Sequence, residues 1–579
     1  MKAFASGSRA GLANRVWGAF AVMAIVLAGC SAPAPNSAPA AQTPAQAPAQ
    51  EPAAPAAPAA TEASVAEAPA APAPAGTPKY GGTWRFAAEM DVATLDSAEA
   101  GNYEDWWSAG HLLYNQLFTV DRDGKLQPAL ASDWPKVSED GKVLTIPLRP
   151  GVKFHNGREM TADDVKFTFE RISTVGWCGA YMANIVGYED IKSGKTQELS
   201  GVKVVDPLII EVTLKQPNST FLYELNNSCA GIVPKQEVID AGADWGTKVV
   251  IGTGPFMFKE WKTGEKVTYV RNSDYWKKGL PYLDQVEIFL NVAAPTAFLR
   301  WESQEVEFTY SGTAADMARV LADSQLKERL LVRDGPNFAY FQINVNAKPF
   351  DDPNVRKAVL MVLDKRAYAQ KNGPFSTPAD SFYGPVMPQY DPNFKGVPYD
   401  VELAKKMMAD AGYADGIKGV AIYSGGTGKD VGELVQADLK KIGIEAELLT
   451  GDFGVVKERW DAGEIIMRGF GGAPGFPDAA GLMDRWICPN FAAGETLAPG
   501  QWCDERINEL YEKTKPMKLE DPERNRIFAE IMDIVVNQGL ATANLWFNKT
   551  ATLSQPYVKN LVASPVYLLP VLDEAWLDK

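Results

Sequence analysis

Two histidines, His111 and His155, are all that this 579-residue chain offers for imidazole chemistry, and they stand in different segments. His155 lies in a Phe-His-Asn-Gly turn. No HExxH, no CxxC and no His/Cys cluster occurs, so a catalytic zinc, a haem and a histidine-based triad all lack their residues. Residues Ser424-Gly425-Gly426-Thr427-Gly428-Lys429-Asp430 look superficially like a phosphate-cradling loop. The leading glycine is missing from its required place, and Asp430 stands where a Ser or Thr would bind magnesium. There is no GxSxG nucleophile elbow. Among 72 Asp and Glu residues no spacing singles out a carboxylate pair. The chain is therefore expected to bind rather than to transform, with no catalytic residue, metal or cofactor.

Cysteine chemistry is more specific. Lys2, Arg9 and Arg15 precede an apolar run from Val16 to Ala28, which ends in Leu27-Ala28-Gly29-Cys30. Positive residues, a short greasy segment and small residues at a cut site describe an export signal over 1–29. The run falls short of the roughly 20 apolar residues that a membrane span needs. Cys30 after Leu-Ala-Gly resembles a bacterial lipobox, which implies a diacylglycerol on its thiol and a lipid anchor. Four cysteines remain, Cys178, Cys229, Cys488 and Cys503, and an even number in an oxidising compartment suggests two disulfides. The favoured pairing is Cys178–Cys229 and Cys488–Cys503, the second closing a short loop between Trp486 and Trp502; free buried thiols are the alternative.

The segment after Cys30 cannot build a core. Residues 31–78 contain 21 Ala and 12 Pro, no Lys or Arg, and Val65 alone among β-branched apolar or aromatic residues. Residues 30–78 are expected to be a disordered, partly polyproline-like spacer. Residues 79–579 have the mixed composition of a folded body of two or three domains. Three positive charges and no acid leave with residues 1–29, taking the net charge from −15 to −18. An acidic balance of that size argues against nucleic acid as a partner.

Several short patterns should position whatever this body binds. Gly81 to Ala87 reads as a strand, His111 to Phe118 as helical, and Val143 to Leu148 alternates as a strand. Thr161 precedes Asp164 at capping-box spacing, with Val165, Phe169 and Ile172 on one helical face. Asp352 before Pro353 is an N-cap followed by proline in the first turn, with Val355, Val359, Val362 and Leu363 as the buried stripe. Asp400 caps a helix expected to bury Leu403, Met407 and Ala411, with Gly412 as its stop.

The succession of these phrases resembles the family 5 extracellular solute-binding proteins of ABC importers, of the dipeptide- and oligopeptide-binding type. The matching stretches are LQPALASDWPKVSEDGKVLTIPLRPGVKFHNGREMTADDVKFTFERI, GTGPFMFKEW, RNSDYWKKGLPYLDQVEIFL, FQINVNAKPFDDPNVRKAVLMVLDKRAY and YDVELAKKMMADAGY, in family order. The resemblance implies an α/β, two-lobed periplasmic-binding-protein-like fold with an additional domain and a ligand cleft between the lobes. Lobe one would comprise 79–115, 251–337 and 547–579; an accessory domain 116–250; lobe two 338–546. The chain would cross between lobes near Phe338 to Asn346 and near Asn544 to Lys549, and these crossings would form the hinge. A monomeric, lipid-anchored receptor outside the cytoplasm would then hand a small solute to ABC permease subunits.

Expected ligand contacts follow from the cleft's place in that fold. They are Tyr103, Trp106 and Trp107 after the first strand, Phe341 and Asn344 at the first crossing, and Leu545 and Trp546 at the second. Residues 469–478 add Phe470, Gly472, Ala473 and Asp478, and Trp486 follows. Peptide-binding relatives carry Trp-x-x-Asp here, whose Asp meets the peptide's amino group. Aligning Phe470 with that Trp puts Ala473 at the carboxylate position. Asp478 would substitute if the loop is re-routed, and Arg468 or Arg485 would suit an anionic group. An oligopeptide is the leading solute; an oligosaccharide or opine-like solute is the alternative, with an extracellular hydrolase or a chaperone-like role behind them.

Overall fold

Eleven strands share one sheet in the computed structural model, which describes residues 76–579 except 101–104, 106, 123, 176, 311, 426–427, 450–455, 457, 461, 489–501 and 562–568. The expected export signal, Cys30 and nearly all of the spacer lie outside the described residues. In chain order the strands are β1 (Thr83–Ala87), β2 (Phe256–Lys262), β3 (Lys266–Arg271), β4 (Gln285–Phe289), β5 (Phe308–Thr309) and β6 (Leu330–Ile343). They continue with β7 (Ser376–Pro378), β8 (Ile417–Ser424), β9 (Ile444–Leu449), β10 (Met467–Gly472) and β11 (Thr542–Ser554). Their spatial order is β9-β8-β10-β6-β11-β5-β1-β4-β3-β2, with β7 paired to β11.

The two long central strands, β6 and β11, pair antiparallel and tie the two ends of the sheet together. Their register is broken twice. Between Asp334/Lys549 and Phe338/Phe547, Gly335 to Asn337 oppose a single residue, Asn548. Between Ala339/Trp546 and Tyr340/Asn544, Leu545 is the extra residue. Bulges of this kind bend and twist a strand pair locally.

Strand alternation then sorts side chains between two cores. Ala339, Phe341 and Ile343 enter one core with Val355, Val359, Val420 and Met467. Phe338 and Tyr340 enter the other, with Phe382, Phe476, Trp486 and Phe528. At the β1 end, Trp84, Phe86, Leu112, Tyr269 and Ile288 build a third core. A separate four-stranded antiparallel sheet, in the order Lys136–Val137, Val143–Pro147, Ile209–Thr213, Val202–Asp206, packs its own core against the helix Ala162–Ile172.

Local chemistry explains the helix ends. Thr161 and Asp164 form a reciprocal capping box, with Val165, Phe169 and Ile172 buried. The Asp352 carboxylate accepts from the Asn354 N–H at 2.7 Å, and Pro353 occupies the first turn. Asp400 accepts from the Leu403 N–H at 2.9 Å, and Gly412 follows the helix with φ +89°. Two expectations need correction. The helix Val401–Asp410 buries Ala404 and Met408, while Leu403 is 45% exposed, so its buried face is turned one residue from the expected stripe. His111 to Phe118 is not one helix: a π-helical turn Ser108–Leu113 ends there, and Phe118 opens a short strand with Val120. Gly252 and Gly254 fit so closely against the Leu112–Leu113 backbone that a Cβ at either would clash.

Candidate ligand site at the strand crossing

β10 brings residues 469–472 to the crossing, and Ala473 follows it. Its register with β6 sets Gly472 opposite Phe338, Gly471 opposite Ala339 and Phe470 opposite Tyr340. A Cβ at Gly472 would lie 3.0 Å from the Phe338 ring, so glycine there lets two aromatic side chains approach the strand. Phe470 sits 6.2 Å from both Tyr340 and Tyr423, measured between ring centroids. The loop after Ala473 runs into the 3-10 helix Ala479–Arg485. Arg485 returns from the end of that helix to the loop's start, where Nη2 donates to the Ala473 carbonyl at 3.0 Å.

Asp478 is committed to the scaffold. Its two oxygens receive Arg524 Nη1 at 2.8 Å and Nη2 at 2.6 Å, with both side chains buried. Gln389 Nε2 donates to the same carboxylate at 3.0 Å, and Asp478 also caps the following helix through the Ala480 N–H. A carboxylate so occupied has no face left for a ligand amine. It does not replace the missing acid at Ala473.

The other expected contacts divide by burial. Trp107 is buried against Trp84 and Phe86 and donates its indole N–H to the Pro570 carbonyl at 2.9 Å. Trp486 is fully buried with its ring edge-on to Phe382. Phe341 and Leu545 are buried in the core beside β8, and so is Trp546, because the extra residue Leu545 turns it there. Asn344 is buried and accepts from the Asn346 N–H at 3.0 Å. These side chains hold the framework and offer no open surface. Tyr103 and Trp106 lie outside the described residues. Phe470, Gly472 and Ala473 remain partly accessible at the crossing.

Sequence reasoning did not single out the residues buried on the other face of β6. Phe338 and Tyr340 are one step out of phase with Phe341, and the period of two alone carries that signal once a register is known. Tyr223, in the short helix Phe221–Glu224, stacks on Phe476 at 5.7 Å with an 18° interplanar angle. Nearby, the Ser219 N–H donates to the Lys515 carbonyl at 2.8 Å, and Gln216 bonds Glu512. Tyr181 sets its hydroxyl 3.2 Å from where a Cβ on Gly475 would stand. Tyr181, Gln216, Ser219 and Tyr223 thus meet residues 475–476 and 512–515 in a seam beside the crossing.

Cavities also open among other described residues. One, of about 930 Å³, runs from the β6 bulge along residues 377–399, and its Lys365 and Lys549 are paired with Asp380 and Asp334. Another, of about 520 Å³, lies among Asn115, Gln127, Trp276 and Lys277, where Lys277 pairs with Asp573 at 2.7 Å. Burial lowers the pKa of His111, which lines it, to about 4. Cys178 and Cys229 are disulfide-bonded with Cα atoms 6.1 Å apart, as are Cys488 and Cys503 at 5.2 Å. Among the described residues no group of three His, Cys, Asp or Glu could hold a metal ion, and no helix is long and apolar enough to cross a membrane.

A sheet shared by two bodies, joined by a bulged strand pair beside a seam, is the plan of a two-lobed binding protein. Residues 125–492 match the family described as bacterial extracellular solute-binding proteins, family 5 Middle, and the chain belongs to that family. It is 30% identical over 451 residues to di/tripeptide-binding protein 2 of Pseudomonas aeruginosa, covering 74% of this chain and 83% of that protein. It is 32% identical over 395 residues to haem-binding protein A of Haemophilus influenzae, covering 63% and 70%. Among solved structures, the Helicobacter pylori periplasmic binding protein DppA in complex with the peptide STSA superposes with a TM-score of 0.75 at 24% identity, covering 86% of this chain and 99% of that one. These relatives are binding proteins, and the fold is the two-lobed α/β fold of the periplasmic peptide-binding proteins.

Proposed function

We propose that this protein captures a short peptide between its lobes outside the cytoplasm and delivers it to the permease of an ABC importer, without chemical change to the cargo. The observation that carries this reading is the 30% identity to a di/tripeptide-binding protein across 74% of the chain. The cleft is the crossing of β6 and β11 together with residues 469–473, closed over by the seam at Tyr223 and Phe476. The lobe boundaries follow the sequence reading: 79–115, 251–337 and 547–579 for lobe one, 116–250 for the accessory domain, 338–546 for lobe two. The two bulges give the strand pair its bending points, as a hinge requires. Cys30 carries the lipid anchor, residues 30–78 form the tether, and the protein works as a monomer.

The test is ligand-induced stabilisation of the full-length protein. A peptide that binds only the folded state stabilises it by mass action, by about 2.7 kcal/mol at 100 times its dissociation constant, and so raises the melting temperature. A panel of di- to pentapeptides should include members that shift the melt and are recovered intact. No shift from any peptide, or recovery of cleaved peptides, would refute the proposal.

A further inference from the structure

Arg485 carries a charge that its surroundings do not balance. Its guanidinium lies over the faces of Phe338 and Tyr340, 5.6 and 5.9 Å from the ring centroids. Nη2 donates to the Ala473 carbonyl, Nη1 stands 3.5 Å from the Tyr340 hydroxyl, and the buried Nε–H meets no acceptor among the described residues. None of the described carboxylates pairs with it. The contrast with Arg524, in the same neighbourhood, is direct: that guanidinium holds both oxygens of Asp478.

Arginine keeps its charge at any working pH, so removing a proton cannot relieve the imbalance. A partly buried guanidinium without an acid costs free energy that a charge-assisted hydrogen bond would restore. The aromatic faces fix the plane of the group, whose N–H donors form a fork that fits the two oxygens of a carboxylate. Ala473 contributes only a methyl group, which offers no charge to an ammonium.

We infer that Arg485 seats a carboxylate of the cargo, so that the protein selects its solute by an anionic end and is indifferent to a cationic one. This rests on the peptide-capture reading above and adds the polarity with which the cargo is held.

The test titrates the full-length protein with one pool of synthetic tetrapeptides prepared in three forms: both ends free, N-acetylated, and C-amidated. The expected result is equal binding of the free and N-acetylated forms and a loss of about tenfold or more for the C-amidated form. Arg485→Gln should lower the affinity for the free form by a similar factor and abolish the difference between free and amidated forms. Arg485→Lys, which keeps the charge but loses the fork, should fall between. If Arg485→Gln does not fold, the wild-type comparison and Arg485→Lys decide. Equal binding of amidated and free peptides, or discrimination that survives in Arg485→Gln, would overturn the inference while leaving peptide capture standing. Binding by none of the three forms is a different result: it overturns peptide capture, and the inference with it.

Discussion

Arg524 and Asp478 form a two-pronged ion pair at 2.8 and 2.6 Å, with side-chain exposures of 1% and 5%. The pair fastens the end of the loop that follows Ala473 to the helix Pro522–Asp533, on which Arg524 lies. The loop's position at the crossing therefore depends on a fully buried contact.

Removing one partner of such a pair strands the other. Asp478→Asn should cost about 3–5 kcal/mol, because the buried Arg524 charge loses its counter-ion and keeps its desolvation. Urea unfolding followed by circular dichroism reads this directly. A loss under about 1 kcal/mol would mean that the pair is solvated in solution.

His155 links the Phe-His-Asn-Gly turn to residues 252–254. Nδ1 accepts from the Gly252 N–H at 3.1 Å, and Nε2 donates to the Gly254 carbonyl at 3.1 Å. Protonation would place a second hydrogen against the Gly252 N–H. Burial lowers the His155 pKa to about 4 from an ordinary 6.5, against the opposing pull of the Gly254 bond. The unfolded chain therefore takes up the proton first. The stability this imidazole contributes is complete above pH 6.5 and is lost as pH falls towards 4. Urea midpoints measured from pH 7 to 4 should fall more steeply for the wild type than for His155→Gln. Parallel curves would show that the ring titrates freely in the folded protein.

Glu224 has the opposite sign. Burial raises its pKa from 4.5 to about 7, while hydrogen bonds from Asn218 and Thr220 and the charge of Lys515 act against the shift. The folded state binds the proton more tightly than the unfolded chain. Its contribution is present in full below pH 4.5 and is lost as pH rises through 7. Glu224→Gln should match the wild type near pH 4.5 and exceed it by about 1–2 kcal/mol at pH 8, a figure discounted for partial solvent exposure. Equal stabilities at both pH values would contradict the shift.

What the sequence disclosed was mostly local. The capping box of Thr161 and Asp164, the caps Asp352 and Asp400 and the strand over Val143–Pro147 each depend on a few neighbouring residues, and each stands where expected. The Val401–Asp410 helix shows the limit. Leu403 and Ala404 differ by one position, and which of them is buried is set by what the helix packs on. The crossing shows it again: the sequence pattern points Phe341 and Trp546 at a ligand, but strand parity and the extra residue Leu545 turn both into the core. Two residues inserted on one strand and one on the other are invisible until the strands are paired. Asp478 was a plausible ligand group from its loop, and only the arrival of Arg524 from 46 positions away removes it.

Tyr223 and Phe476 belong to segments 253 positions apart, yet their rings stack at 5.7 Å, and the backbone bond from Ser219 to Lys515 lies beside them. An aromatic pair adds about 0.5–1.5 kcal/mol beyond the area it buries. If the seam closes the cleft, that energy sets how much of the population is closed. Tyr223→Ala would then weaken cargo binding by about two- to tenfold, the factor to which this energy corresponds. The variant should keep its melting temperature within a few degrees, since Tyr223 is only half-buried. Its radius of gyration without cargo should exceed that of the wild type, and saturating cargo should bring the two together. If small-angle scattering instead gives both proteins the same curve without cargo, the stack belongs to the resting framework. The hinge would then have to be controlled by the bulges of β6 and β11 alone, where Gly335 offers the position to probe: a Cβ there would stand 2.7 Å from the Asn548 carbonyl and force the strand pair apart.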